Sequence, residues 1–173
     1  MTMPKERTRS LRYGWEFLIE LHSSDNLTDK QRSTIEHILR HYPSGSEIKQ
    51  LAKDCAGAKE MFDAKILPED LDAFRSQNPA IPDSIPRGPT TPAERTVALL
   101  SAFQLFQFGL LDAGNLTDIQ KRQIPFVLRH FPEVHEINHW AKMDAWQASE
   151  NPAFKPWLVA VPWCRANHNC SAN

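Results

Sequence analysis

Asn26-Leu27-Thr28-Asp29, followed by Leu39-Arg40-His41-Tyr42-Pro43 and Glu47-Ile48, returns later in the chain. The second occurrence reads Asn115-Leu116-Thr117-Asp118, Leu128-Arg129-His130-Phe131-Pro132 and Glu136-Ile137. Between 26–56 and 115–145, 15 of 31 positions are identical at a constant offset of 89. Upstream, Pro4-Lys5-Glu6-Arg7-Thr8 matches Pro92-Ala93-Glu94-Arg95-Thr96 at an offset of 88. The later copy has therefore gained one residue between its first and second elements. A helix-to-helix loop is the expected place for it, since loops accept insertions most readily. Two repeats in 173 residues are units too small to bury much surface alone, so they are expected to pack on each other. The fold expected is all-α, with two tandem three-helix modules packed as a pseudo-two-fold pair. The modules span 1–56 and 91–145. A connector with a short helix and a Pro-rich segment covers 57–90, and a Trp-rich tail covers 146–173.

The helices are legible from their ends. Thr91 before Pro92, with Glu94 three residues after the cap, reads as a capping box with proline at the first helical position. The first copy has Met3 in place of Thr91, so its start is expected to fray more. Thr28 with Gln31, Thr117 with Gln120, and Ser44 with Glu47 repeat the box. Helices are expected to stop before Pro43 and Pro132, because the residue before a proline avoids the α region. Pro125 is expected to kink the helix that contains it. Leu11, Trp15, Leu18 and Ile19 fall at helical spacing and are expected to face a core, as are Ile35, Ile38 and Leu39 with their counterparts Ile124, Val127 and Leu128. The stretch Thr91 to Ala113 is apolar nearly all round, from Val97 through Phe103, Phe106 and Phe108 to Leu111. It is expected to form the central helix of the molecule. A short helix is expected near Pro68 to Phe74. Pro79, Pro82, Pro86 and Pro89 are expected to make a stiff extended connector. Phe154, Trp157, Leu158, Val161 and Trp163 make the tail too apolar to stay in solvent, so it is expected to fold back onto the body.

Composition narrows the function classes. Formal net charge is −1 and hydrophobic residues make up 41%, which gives no global field selecting nucleic acid or an anionic surface. No apolar run reaches 18 residues, so no spanning helix is expected. The N-terminal residues lead straight into an amphipathic pattern without a signal-peptide core. Three cysteines make no disulfide framework, and a cytoplasmic location is expected. Cys55, on an apolar helical stripe, reads as a small core residue.

Three constellations carry possible chemistry. His135-Glu136-Ile137-Asn138-His139 has the form H-E-x-x-H, which on a helix places two imidazoles on one face for zinc with the glutamate as general base. A third ligand would come from Glu150, Cys164, His168 or Cys170. Copy one has Ser46-Glu47-Ile48-Lys49-Gln50 in the same place, keeping the glutamate and neither histidine. That points to a glutamate serving the helix N-terminus. Arg40-His41 and Arg129-His130, kept in both copies, are the candidate binding residues for an anionic group. Their structural reading is cations at a helix C-terminus. Lys5, Arg9 and Arg12 lie on one helical face and are the candidates for a phosphate-contacting surface. Arg7 and Arg95 are expected to bridge to an acidic residue such as Asp29 or Asp118.

The opening Met1-Thr2-Met3-Pro4-Lys5-Glu6-Arg7-Thr8-Arg9, with Leu39-Arg40-His41-Tyr42-Pro43 after it, resembles a family of short bacterial proteins of unknown function. These share a start M-T-M-P-x-E-R-T-R and a later L-R-H-Y-P. The resemblance covers about the first 56 residues and, more loosely, the second copy. It implies a small cytoplasmic bacterial protein and carries over no catalytic residue. This chain differs from the short form by its duplication and its tail. With no complete catalytic set and no cofactor motif, the expected function is a non-enzymatic module that binds another protein, of inhibitor, immunity or adaptor type. A zinc-dependent hydrolase using His135, Glu136 and His139 is the alternative, and a nucleic-acid-associated regulator is the third reading.

Overall fold

A computed structural model describes residues 3–56, 65–66, 82, 84–110 and 113–162. Among these, all regular structure is helical and no strand occurs. Six α-helices follow in order: α1 (Pro4–His22), α2 (Asp29–His41), α3 (Gly45–Ala56), α4 (Pro92–Gln104), α5 (Asp118–Leu128) and α6 (Val134–Glu150). No helix among the described residues is long and apolar enough to cross a membrane. The short helix expected near Pro68 and the tail beyond 162 lie outside the described residues.

The helix starts follow the capping chemistry. Thr28, Thr91 and Thr117 each accept the N–H three residues on, at 3.2, 3.3 and 3.2 Å. The Gln or Glu at that position returns to accept the threonine N–H. Met3 has no oxygen to offer, so α1 keeps only the Glu6 half of the box, with the Met3 N–H at 2.8 Å from Glu6 Oε2. α2 stops at His41, next to Tyr42 and Pro43, as the proline requires. α5 ends earlier, at Leu128, and carries Pro125 inside it on an exposed face.

The helix read as one central rod is not one. α4 ends at Gln104 and continues as a π-helical turn, Leu105–Gly109. A π turn closes its hydrogen bonds one residue farther along than an α turn. One such turn has room for the single residue by which the repeat offset changes from 88 to 89. The turns at 24–28 and 113–117 have the same backbone pattern residue for residue at offset 89. The gained position therefore lies between Thr96 and Ala113. The π turn also swings Phe108 out to 71% exposure while Phe106 stays fully buried. The centre is shared with α1, which buries Leu11, Trp15, Phe17, Leu18, Ile19 and Leu21 around most of its circumference.

The helices interleave along the chain. α1 packs on α2 and α3, and also on α5. α4 packs on α6, and also on α2. One hydrophobic core runs through all of them and includes Tyr42 and Phe131, the aromatic residues immediately before Pro43 and Pro132. Phe106 holds this centre, with ring centroids 5.9 Å from Phe17 and 5.7 Å from Phe131.

Gly14 is the point of closest approach. A Cβ there would stand 2.8 Å from Tyr42 Oη and 3.1 Å from Phe131 Cε2. The Tyr42 hydroxyl is fixed in turn, donating to Leu11 O at 2.9 Å. Alanine in a helix ordinarily gains up to ~1 kcal/mol over glycine. Here overpacking of a filled core should outweigh that, and Gly14→Ala is expected to destabilise by ~1–3 kcal/mol in urea unfolding. Adding Tyr42→Phe should recover part of the loss, because the two changes share one contact.

Candidate functional site

Three groups of side chains bind the two copies of the repeat together. Asn26 Nδ2 donates to Asn115 O at 2.6 Å, and Asn115 Nδ2 donates to Asn26 O at 2.6 Å. Each amide also reaches the capping glutamine of the other copy, Asn26 to Gln120 Oε1 at 2.8 Å and Asn115 to Gln31 Oε1 at 2.7 Å. The recurrence of Asn-Leu-Thr-Asp with Gln three after the threonine is thus explained by a reciprocal clasp as well as by capping.

Arg7 and Arg95 form the second group. Their acidic partners are neither Asp29 nor Asp118. Arg7 Nη2 lies 3.1 Å from Glu136, and Arg95 Nη2 lies 4.0 Å from Glu47. Asp29 and Asp118 begin α2 and α5, whereas the first turns of α3 and α6 supply the glutamates that meet the arginines. The third group pairs histidines with capping glutamates. His41 Nδ1 is 3.9 Å from Glu94 and His130 Nδ1 is 3.6 Å from Glu6.

These contacts fix the position of each candidate read from the sequence. Arg40 and Arg129 are exposed, while His41 and His130 are half-buried. The two histidines face the N-terminal turns of α4 and α1, so the structure uses them at two helix ends. His135 is exposed, its side chain 77% accessible, with Nδ1 3.3 Å from Glu133 Oε2. Glu136 is engaged twice, accepting the Glu133 N–H at 3.0 Å and pairing with Arg7. Glu47 plays the same part in the first copy, accepting the Ser44 N–H at 2.8 Å and pairing with Arg87 at 2.9 Å. His139 stands exposed at the rim of the pocket described below. Among the described residues, no three His, Cys, Asp or Glu side chains converge as a metal set. Cys164, His168 and Cys170 lie outside the described residues. Lys5 and Arg9 are exposed but Arg12 is buried, with its guanidinium 5.9 Å from the Tyr13 ring, so the three do not share one exposed basic face.

The carboxylates at the helix starts respond to their caps. Glu6 is held below the usual range chiefly by the Met3 N–H, and Glu94 chiefly by the Thr91 N–H. Partial burial pushes Glu47 up. The Ser44 N–H and hydroxyl and the Arg87 guanidinium outweigh that, and its carboxyl ends lowered from the ordinary 4.5. A folded carboxyl lowered below its unfolded value adds stability above the unfolded pKa. That stability is lost as pH falls through the folded one. Urea midpoints are therefore expected to hold from pH 7 to about 5 and to fall below about 4.5. Glu47→Gln, which can still cap, should flatten part of that fall.

A pocket of about 600 Å³ lies between the C-terminal half of α3 and α6, bordered by Lys65 and by the chain after α6. Its walls are largely apolar: Leu51, Trp140, Met143, Trp146, Phe154 and Trp157. Trp146 is 57% exposed. At one side is Asp144, wholly buried, ion-paired with Lys65 Nζ. The second Asp144 oxygen accepts the N–H groups of Trp157 and Leu158 at 3.0 and 2.8 Å. Cys55 also lines the pocket. Burial pushes its thiol up from the ordinary 9.0, with the Lys65 ammonium and the Ile66 N–H opposing. It is thus a protonated, weakly nucleophilic group at neutral pH.

Asp144 and Lys65 belong to no sequence motif, yet α6 carries one signal of the pair. On α6, Ile137, Trp140, Ala141 and position 144 follow the buried spacing, and the last is a carboxylate. A charge on a buried stripe requires a partner. Models of known protein families, curated proteins and solved structures were compared with the chain, and none matches.

Proposed function

We propose that the protein is a non-enzymatic interaction module of inhibitor, immunity or adaptor type. In this reading two three-helix modules, 1–56 and 91–145, pack as a pseudo-two-fold pair, and the face around Trp146 receives another protein. The reciprocal Asn26–Asn115 clasp, the matched Arg7–Glu136 and Arg95–Glu47 pairs, and the matched histidine–glutamate contacts support the paired arrangement. The observation that carries the binding reading is Trp146, a large aromatic more than half exposed beside a pocket walled by three further aromatics. Tryptophan is enriched among the residues that dominate binding energy at protein interfaces. A catalytic reading lacks comparable support, because Glu136 is committed to a cap and to Arg7.

The test is affinity isolation of the tagged full chain from its native host, run beside Trp146→Ala. A partner held by the wild type and lost by the variant is expected. No stable partner, or one retained equally by both, would refute the assignment.

A further inference from the structure

The stretch 157–159 is held chiefly through its backbone. Asp144 accepts the N–H of Trp157 and of Leu158. Thr96, itself buried, accepts the N–H of Val159 at 3.2 Å. Arg95 Nη1 donates to the Trp157 carbonyl at 2.8 Å and its guanidinium lies 5.6 Å from the Trp157 ring. One side chain, Leu158, is fully buried. The first copy holds Lys65-Ile66 by the corresponding groups. Arg7 Nη1 donates to the Lys65 carbonyl at 3.3 Å, the Ile66 N–H faces Cys55 at the position matching Asp144, and the Ile66 side chain is fully buried. Each copy thus carries a cleft that bonds the backbone at a bend and covers one aliphatic side chain, and the two clefts hold unrelated dipeptides. Main-chain hydrogen bonds for affinity, with a side-chain pocket for specificity, are a recurring mode of peptide recognition.

We propose that the cleft formed by Arg95, Thr96 and Asp144 is a peptide site, filled in this chain by its own Trp157–Val159. A partner's segment with a large aliphatic residue at the Leu158 position, bent as the chain is at Trp157, enters by replacing it. This rests on the interaction reading above and names the partner's chemistry. The resident segment is suited to release. Residues 151–153, 155, 159 and 160 around it are exposed, and only Leu158 is wholly covered. Trp157 and Val161 pack against the core only in part, and a segment with one fully buried side chain opens at lower cost than the core. Release also removes Trp157 from the wall of the pocket that Trp146 borders.

The probe is a fluorescent synthetic peptide with the sequence of residues 154–162. In the full chain, Leu158→Asp places a charge in the aliphatic pocket and should empty the cleft. The peptide is expected to bind this variant at least about tenfold more tightly than the wild type, whose cleft is already occupied. The same peptide with aspartate for its leucine should not bind. Hydrogen exchange on the wild type gives a second measurement that needs no variant. The amides of Trp157, Leu158 and Val159 are expected to exchange together, at least about 100-fold faster than those of α4. Equal or absent peptide binding by the two proteins, or exchange of the three amides only with global unfolding, would overturn the proposal. A Trp146-dependent partner that still bound both chains equally would leave the interaction reading standing while this inference fell.

Discussion

Asp144→Ala is expected to destabilise the protein by ~3–5 kcal/mol, the usual cost of removing one partner from a buried ion pair. The reasoning starts from position. Asp144 has no exposed surface, and its two oxygens accept from Lys65 Nζ and from two backbone N–H groups. Alanine would strand an ammonium whose side chain is only 12% exposed, together with two amides. An unpaired buried charge is far costlier than a missing pair. The double variant Lys65→Met with Asp144→Ala should therefore recover part of the loss, although the amides remain without their acceptor. Urea unfolding followed by far-ultraviolet dichroism measures both. If the single variant stayed within about 1 kcal/mol of the wild type, the ion pair would not have the structural role assigned to it.

Phe106→Ala is the second large effect expected, ~3–5 kcal/mol. The ring is fully buried, stacks near Phe17 and meets Phe131 edge-on. Those partners come from α1 and from the turn after α5, so the ring bridges segments far apart in the chain. It also sits in the π turn, where the wider backbone helps to aim one aromatic inward and Phe108 outward. The cavity left by alanine is lined by aromatic rings that rotate but do not collapse readily. A loss in the large-to-small range is the consequence. Phe108→Ala, at a position 71% exposed, is the control and should change stability by no more than about 0.5 kcal/mol.

The parts of the fold visible in the sequence were those fixed by local chemistry. Capping pairs such as Thr28 with Gln31 and stops such as Pro43 act within a few residues, so they can be read directly. The repeat added that the copies belong together. It did not locate the extra residue, because a change of offset between Thr96 and Asn115 says only that one position was gained. A helix can also take one residue as a π turn, as Leu105–Gly109 does. The partners of Arg7 and Arg95 are hidden from the sequence for a related reason: ion-pair partners depend on how helices cross, and Glu47 and Glu136 are remote from them in the chain. In the His135–His139 stretch, the matching Ser46–Gln50 keeps the glutamate without either histidine, so the glutamate's capping role is legible in the sequence itself. The Asp144 cleft was hidden because its ligands to the backbone of 157–159 join two segments with no shared motif. Only the carboxylate on an apolar stripe hinted at it.

The fold depends on one interior shared by both copies, with α1 lying against α5 and α4 against α2. The most direct measurement is to produce residues 1–90 and 91–173 separately and record helicity and thermal unfolding of each half alone and of an equimolar mixture. Halves this interleaved should each be largely unfolded alone and should regain helicity with a cooperative, concentration-dependent transition once mixed. Either half folding cooperatively by itself to full helicity, with no change on adding the other, would contradict the account.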